Sequence, residues 1–421
     1  MEQKNLRKKI VSEARFKFAL TSLHKYATIK PKKYIVFSPY NIYHGLYSAY
    51  LISSGEMEQR LKEILYLPAD VSKNELMNII NFNNPAKRPE NYMDSTFYMP
   101  YHYVIKNQCI FLNKKLPGDI KTKEELYNIE IKSIISNNIH DTNRELNEIL
   151  QSLIKDHFRK PVNLKVQTED MDIFLASIHN FKGRNQIVSQ STSGSTDAPS
   201  LSTPSYLKIK TFSSDELQVD VKELIIKEHF TSLYMLIPFS SSTNKKVKTN
   251  TSSTNLSSLI KKLSTSEGMD ILRELLSRVR TLEPLSFATR STFEIENNLN
   301  MRPLLRKLGV ERLLTPEAIP LDNTFVKIDQ SAHFGNAVHR ARVKVTQKDV
   351  KAAAVTVISG QKLCSNDIIT DMDFKNPFLW FIYDKMNADI LYIGVFNEVH
   401  MSVSERQLTG TNQTHQTSCS F

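Results

Sequence analysis

The 421-residue sequence predicts an α+β protein, and three observations carry that prediction. Apolar residues recur at helical spacing in several segments between residues 12 and 158. After Phe325 the pattern turns to strand-like alternation. Two continuous apolar runs, PFLWFIYD (377–384) and ILYIGVF (390–396), flank the polar KMNAD and read as a buried hairpin.

Residues 12–26 carry Phe16, Ala19, Leu20 and Leu23 on one helical stripe. YIVFSPYNIYHGLYSAYLISSG then reads as a short strand, a Ser-Pro break and an apolar helix ending at Gly55. Met57, Leu61, Ile64 and Leu65 mark an amphipathic helix. Residues 141–158 mark another, with Asp141 as N-cap and Leu146, Ile149, Leu150 and Leu153 facing inward. FLASIHNFKG (174–183) is a strand. Two polar stretches, near 188–206 and 240–258, read as long surface loops, because β-rich sequence resumes after each without a fresh domain pattern. Ala337, His339, Ala341, Val343 and Val345 alternate with Val338, Arg340, Arg342 and Lys344, the period of a half-buried strand. Residues 1–399 thus read as one domain, followed by a polar, disordered tail at 400–421.

Hydrophobic residues at 40% and charged residues at 24% suit a soluble chain able to bury a large core. A net charge of +11 predicts weak, salt-dependent attraction to polyanions, but the lysines are scattered and define no nucleic-acid arm. Cys109, Cys364 and Cys419 are too few and too far apart for a disulfide framework or a zinc site. The start MEQKNLRKKIVSEARFKF lacks the apolar core of about 7–15 residues found in a signal peptide, which favours the cytoplasm. Asn250, Asn255 and Asn412, in Asn-X-Ser/Thr triplets, keep an extracellular alternative open. No stretch is long and apolar enough to span a membrane.

No GxSxG, HExxH, P-loop or GxGxxG is present, and the 11 histidines are dispersed, so the sequence predicts no enzyme, no cofactor and no metal. His339 falls on the small-residue face of its strand, where a hydrogen-bonded core histidine is expected. The unusual segment is VTQKDVKAAAVTVISGQKLCSNDIITDMDF (345–374), which runs from a strand into small residues, then polar ones, before the closing hairpin.

That order resembles the C-terminal plan of the serpins, and five pieces in the right order extend the resemblance over nearly the whole chain. FSPYNI (37–42) is similar to the family's FSPxSI, and FLASIHNFKG to LVNAIYFKG. NMRPLLRKLGVERLLTPEA (300–318) is similar to the helix with KLG, and AVHRARVKV (337–345) to VHKAxxEV. NPFLWFIYDKMNADILYIGVF (376–396) is similar to the closing hairpin. The resemblance implies a fold of three β-sheets with about nine helices and an exposed reactive-centre loop near 347–373. It also implies a monomer that inhibits a serine, or a cysteine, protease. The cleaved loop would insert into the main sheet as an added strand. The alternative it leaves is a non-inhibitory binding or storage protein.

Under the resemblance, the hinge covers Gln347, Lys348, Asp349, Val350, Lys351, Ala352, Ala353 and Ala354. Counting forward from Gln347 places the reactive bond at Leu363–Cys364, with Lys362 as alternative. Leu363 would suit a chymotrypsin-like target and Lys362 a trypsin-like one. Ser38, Asn41, Ser177 and His339 match the region where the sheet opens. Asp349 stands where the family has a hinge glycine, and Asn185 where it has a tryptophan. Asn41 and Ser177 stand where it has serine and asparagine. These departures predict reduced inhibition, with Asp349 as a kinetic obstacle that Asp349→Gly would relieve. On insertion, Val350, Ala352, Ala354 and Thr356 are expected to face inward, and Lys351, Ala353, Val355 and Val357 outward.

Overall fold

The computed structural model describes residues 2–29, 34–76, 103–112, 129–136, 138–154, 157–158, 172–185, 187–189, 205–207, 209–227, 230–239, 251–277, 293–315, 319–322, 331–332, 334–346, 348–359, 368–369 and 376–396. The predicted tail at 400–421 lies outside them, as does the tip of the first polar loop (190–204).

Two large sheets form the frame. The first orders β3 (Glu130–Ile134), β2 (Tyr103–Leu112), β4 (Ile173–Asn185), β14 (Asp349–Ser359), β13 (Asn336–Val345), β10 (Phe293–Asn300) and β15 (Ile368–Ile369). Only the β2–β3 pair in it is parallel. The second orders β1 (Tyr34–Phe37), β17 (Asp389–Phe396), β16 (Phe378–Asp384), β9 (Thr231–Pro238), β8 (Val219–Lys227) and β7 (Ile209–Ser214). The two meet where Arg184 and Asn185 of β4 pair with Lys227 and Ile226 of β8. Two short ribbons complete the strands: β5 (Ile187–Ser189) with β6 (Ser205–Leu207), and β11 (Ile319–Pro320) with β12 (Ser331–Ala332).

The predicted hairpin is β16–β17, and both of its strands are buried throughout. Trp380 sits over Gly394. A Cβ there would lie 2.3 Å from the indole, so only glycine admits the ring. The apolar layer between the sheets joins Trp380 and Ile382 to Phe181, Val343, Val350, Ala352 and Ala354.

Helices α1 (Glu2–Ile29), α2 (Pro39–Ile52) and α3 (Gly55–Ile64) open the chain. Helix α2 is buried at every position and contacts β4, β14 and β17. An all-round apolar helix has no other stable place. Its start is written locally: Ser38 caps it by accepting the Asn41 N–H, and Pro39 occupies the first turn. It ends at Ile52 rather than Gly55; Gly55, at φ 65°, instead opens α3.

Helix α4 (Ile139–Ile154) lays Leu146, Leu150 and Ile154 on the first sheet. Asn138, not Asp141, caps it, its side-chain oxygen accepting the His140 N–H at 2.9 Å. Asp141 lies in the first turn and pairs with Arg144. Helix α5 (Thr251–Leu263) corrects the second polar loop: Ser and Thr are poor helix formers, yet 251–258 are its first turns, because Leu256, Leu259, Ile260 and Leu263 bury one stripe. Helices α6 (Ser266–Ser277) and α7 (Arg302–Leu308) follow, α7 closing at Gly309 with φ 92°.

Candidate functional site

The segment expected as an exposed loop contributes a central strand. Over Asp349–Ser359, β14 lies between β13 and β4, antiparallel to both. Val345 faces Val350 at one end, and Asn336 faces Ser359 at the other. Lys362, Leu363 and Cys364 lie outside the described residues, as does Gln347. The chain is next described at Ile368–Ile369, on the far edge of β10.

The alternation of β14 follows expectation on one face. Val350, Ala352 and Ala354 join the layer between the sheets, and Thr356 points toward α2. Gly45 of α2 makes room for it: a Cβ there would lie 3.2 Å from the Thr356 methyl.

The other face departs from expectation. Lys351 is exposed, but Ala353, Val355 and Val357 are buried beneath Leu146, Leu150 and Ile154 of α4. The outward face is covered because α4 crosses the sheet there, a tertiary fact that period-2 alternation does not encode. Burying each valine contributes about 1.5–3 kcal/mol relative to leaving it in water.

The four residues assigned to the opening region come together around Thr356. The Ser38 N–H donates to His339 Nε2 at 3.1 Å, so the ring proton sits on Nδ1. Nδ1–H then donates to Thr356 Oγ1 at 2.8 Å, and that hydroxyl donates to Asn41 Oδ1 at 2.5 Å. Asn41 Nδ2 donates onward to Ser177 Oγ at 3.0 Å. Ser38 Oγ donates to the Leu391 carbonyl at 2.7 Å. One chain of bonds thus links α2, β4, β13, β14 and β17, and every member is buried. Only neutral His339 satisfies it, and burial holds that imidazole down to about 3. The exchange of serine and asparagine is therefore not a loss: Asn41 and Ser177 still bond each other across the α2–β4 contact, with the two residue types traded.

The hinge end is built from different groups. The Asp349 carboxylate accepts the Thr346 hydroxyl at 2.6 Å and pairs with Lys351 at 3.2 Å. Burial raises its pKa, but the bonds from Thr346 and Lys351 outweigh this and leave it below the ordinary aspartate value. Among described residues only Tyr66, Gln218 and Ala388 combine a side chain with positive φ, so the backbone at Asp349 does not require glycine in this conformation. Arg340, expected at a solvent-facing position, is buried, its Nε donating to Glu296 of β10 at 2.8 Å.

Sequence reading did not include Thr356 and Gly45 in this cluster. The register of β13 and β14, which sets His339 opposite Thr356, is the signal that finds them. Among the described residues no cluster of His, Cys, Asp and Glu could hold a metal, and no helix is long and apolar enough to cross a membrane. Cys109 is buried and free, with burial pushing its thiol pKa up.

Comparison with known proteins agrees with this geometry. Serine protease inhibitor 88Ea of Drosophila melanogaster is 22% identical over 404 residues, covering 90% of this chain and 89% of that protein. Cleaved Serpin 42Da superposes with a TM-score of 0.64 at 17% identity, covering 94% of this chain and 99% of that one. A loop-inserted, cleaved ovalbumin mutant superposes with a TM-score of 0.62 at 13% identity, covering 91% and 98%. The family description "Serpin (serine protease inhibitor)" matches residues 13–399, and the chain belongs to the serpin family.

Proposed function

We propose that the chain is a suicide-substrate inhibitor of a serine or cysteine protease, with Leu363–Cys364 as the bait bond and Lys362 as the alternative to Leu363. The observation that carries this reading is the fit of β14: no side chain between Val350 and Ile358 places a charge in the core, since Lys351 points to water.

In the proposed cycle the protease nucleophile adds to the Leu363 carbonyl carbon. The bond to Cys364 nitrogen breaks, and that nitrogen leaves as an amine after taking a proton. The freed segment enters between β13 and β4 and carries the acyl-enzyme with it. Water attack on the acyl bond competes with insertion, so the ratio of trapped to released protease reports which step is faster. Ser38, Asn41, Ser177 and His339 act in this reading as the point that parts to admit Thr356. Asp349 slows entry, and Asp349→Gly should raise the trapped fraction.

Incubation with chymotrypsin, trypsin and a papain-like protease, followed by denaturing electrophoresis, tests the proposal. A band at the summed mass of protease and N-terminal fragment supports it. Cleavage without such a band for every protease overturns it in favour of a non-inhibitory binding role. Polyanion binding is proposed only as diffuse attraction by the net charge of +11, released from a sulfated column by about 0.5 M salt.

A further inference from the structure

The positions at which the chain departs from the family pattern near the hinge, Asn185 and Asp349, meet in the structure. Val345 and Val350 are a direct β13–β14 pair, so the residues between them must close a tight turn. The backbone supplies one bond, from the Thr346 N–H to the Asp349 carbonyl at 2.8 Å. Side chains supply the rest. The Thr346 hydroxyl accepts the N–H groups of Lys348 at 3.2 Å and Asp349 at 3.0 Å, and donates to Asp349 Oδ1 at 2.6 Å. That uses the full capacity of a hydroxyl, one donor and two acceptors. The second carboxylate oxygen of Asp349 faces Lys351 Nζ.

Asn185, the last residue of β4, holds the turn from the other side. Its backbone N–H donates to the Lys348 carbonyl at 2.9 Å, and its Nδ2 donates to the Thr346 carbonyl at 2.6 Å. Three strand ends are thereby tied at one point. Glycine at 349 would leave the Thr346 hydroxyl without its carboxylate acceptor. An apolar side chain at 185 would remove the donor that reaches the Thr346 carbonyl.

We propose that Asn185, Thr346 and Asp349 form a polar latch that closes over the first turn of the inserted strand and holds the inserted state. The carboxylate that hinders entry on the way in thus secures the strand once it has arrived. These are positioning residues, and the proposal rests on the insertion reading above.

The test compares intact and loop-cleaved forms of the full chain, cut with chymotrypsin. Both are melted in a fixed guanidinium concentration that brings their transitions into range. Thr346→Val, Asp349→Gly and Asn185→Ala should each lower the Tm of the cleaved form by about 1–3 °C and that of the intact form by less. Thr346→Ser and Asp349→Asn, which keep an oxygen in place, should recover most of the loss. Cleaved variants that melt with wild type, or variants that lower both forms equally, overturn the latch. If cleaved wild type melts no higher than intact wild type, the cut does not drive insertion and the reading above fails; variants that then melt with wild type in both forms overturn the latch as well.

Discussion

The two ends of β14 are secured in opposite ways. At the Thr356 end the bonds are buried and dry, and run through a neutral histidine to four other elements. At the Asp349 end Thr346, Asp349 and Lys351 are half-buried or exposed, only Asn185 is buried, and a charged carboxylate does much of the holding. Removing one partner from a buried network leaves an orphaned polar group, whereas the same removal at a wet turn lets water take over. The strand should therefore be far less tolerant of change at its deep end than at its hinge.

The largest effect should come from the middle of the strand. Ala354 is fully buried between Ala341 and His179 in register, so Ala354→Arg would force an unpaired charge into the core. Denaturation should then find the cleaved form no more stable than the intact one. A rise as large as that of wild type would show that the pairing of β14 is wrong.

Protonation should separate the two ends. His339 is held near 3 when folded but titrates near 6.5 in the unfolded chain, so acid favours unfolding from about pH 6.5 downward. This one group removes up to about 1.4 kcal/mol per pH unit. His44 and His179, also buried, are held low by burial and act in the same direction. His339→Gln should flatten the slope of stability between pH 6.5 and 4 by up to about 1.4 kcal/mol per pH unit. Asp349 has a lowered pKa when folded, so its contribution is complete above its unfolded value of 3.8 and is lost only below that. Asp349→Asn should leave the slope above pH 5 unchanged. A slope that follows Asp349 instead of His339 would reverse the comparison.

Thr356→Val keeps the shape but strands His339 Nδ1 and Asn41 Oδ1. It should destabilise the cleaved form by about 1–3 kcal/mol in guanidinium titration. Gly45→Ala presses a methyl on Thr356 at 3.2 Å and should cost the same form about 1 kcal/mol. Lys351→Ala, at an exposed position, should change it by less than about 0.5 kcal/mol.

What could be read from sequence divides along the same physical line. The stripe of α1, the apolar α2 and the β16–β17 hairpin were legible because burial of one element imposes a period on its own residues. The grouping of Ser38, Asn41, Ser177 and His339 was reachable by resemblance. The sense of the Asn41–Ser177 exchange was not, since it becomes visible only when the two side chains face each other. Burial of Val355 and Val357 depends on α4, and burial of Arg340 on Glu296 one strand away. Neither can be found from the residues of one strand. The helix over Thr251–Leu263 was hidden by serines and threonines whose weak propensity the packing of Leu256, Leu259 and Leu263 overrides.

The measurement that bears most directly on the account is the stability of wild type before and after a single cut in the segment from Lys362 to Cys364. Cleavage-driven insertion, from an uncut form with the segment outside the sheet to the arrangement in which β14 pairs with β13 and β4, predicts that the cleaved chain, both fragments still associated, denatures at a distinctly higher guanidinium concentration than the intact chain. Equal midpoints, or a cleaved form that unfolds first, would contradict it.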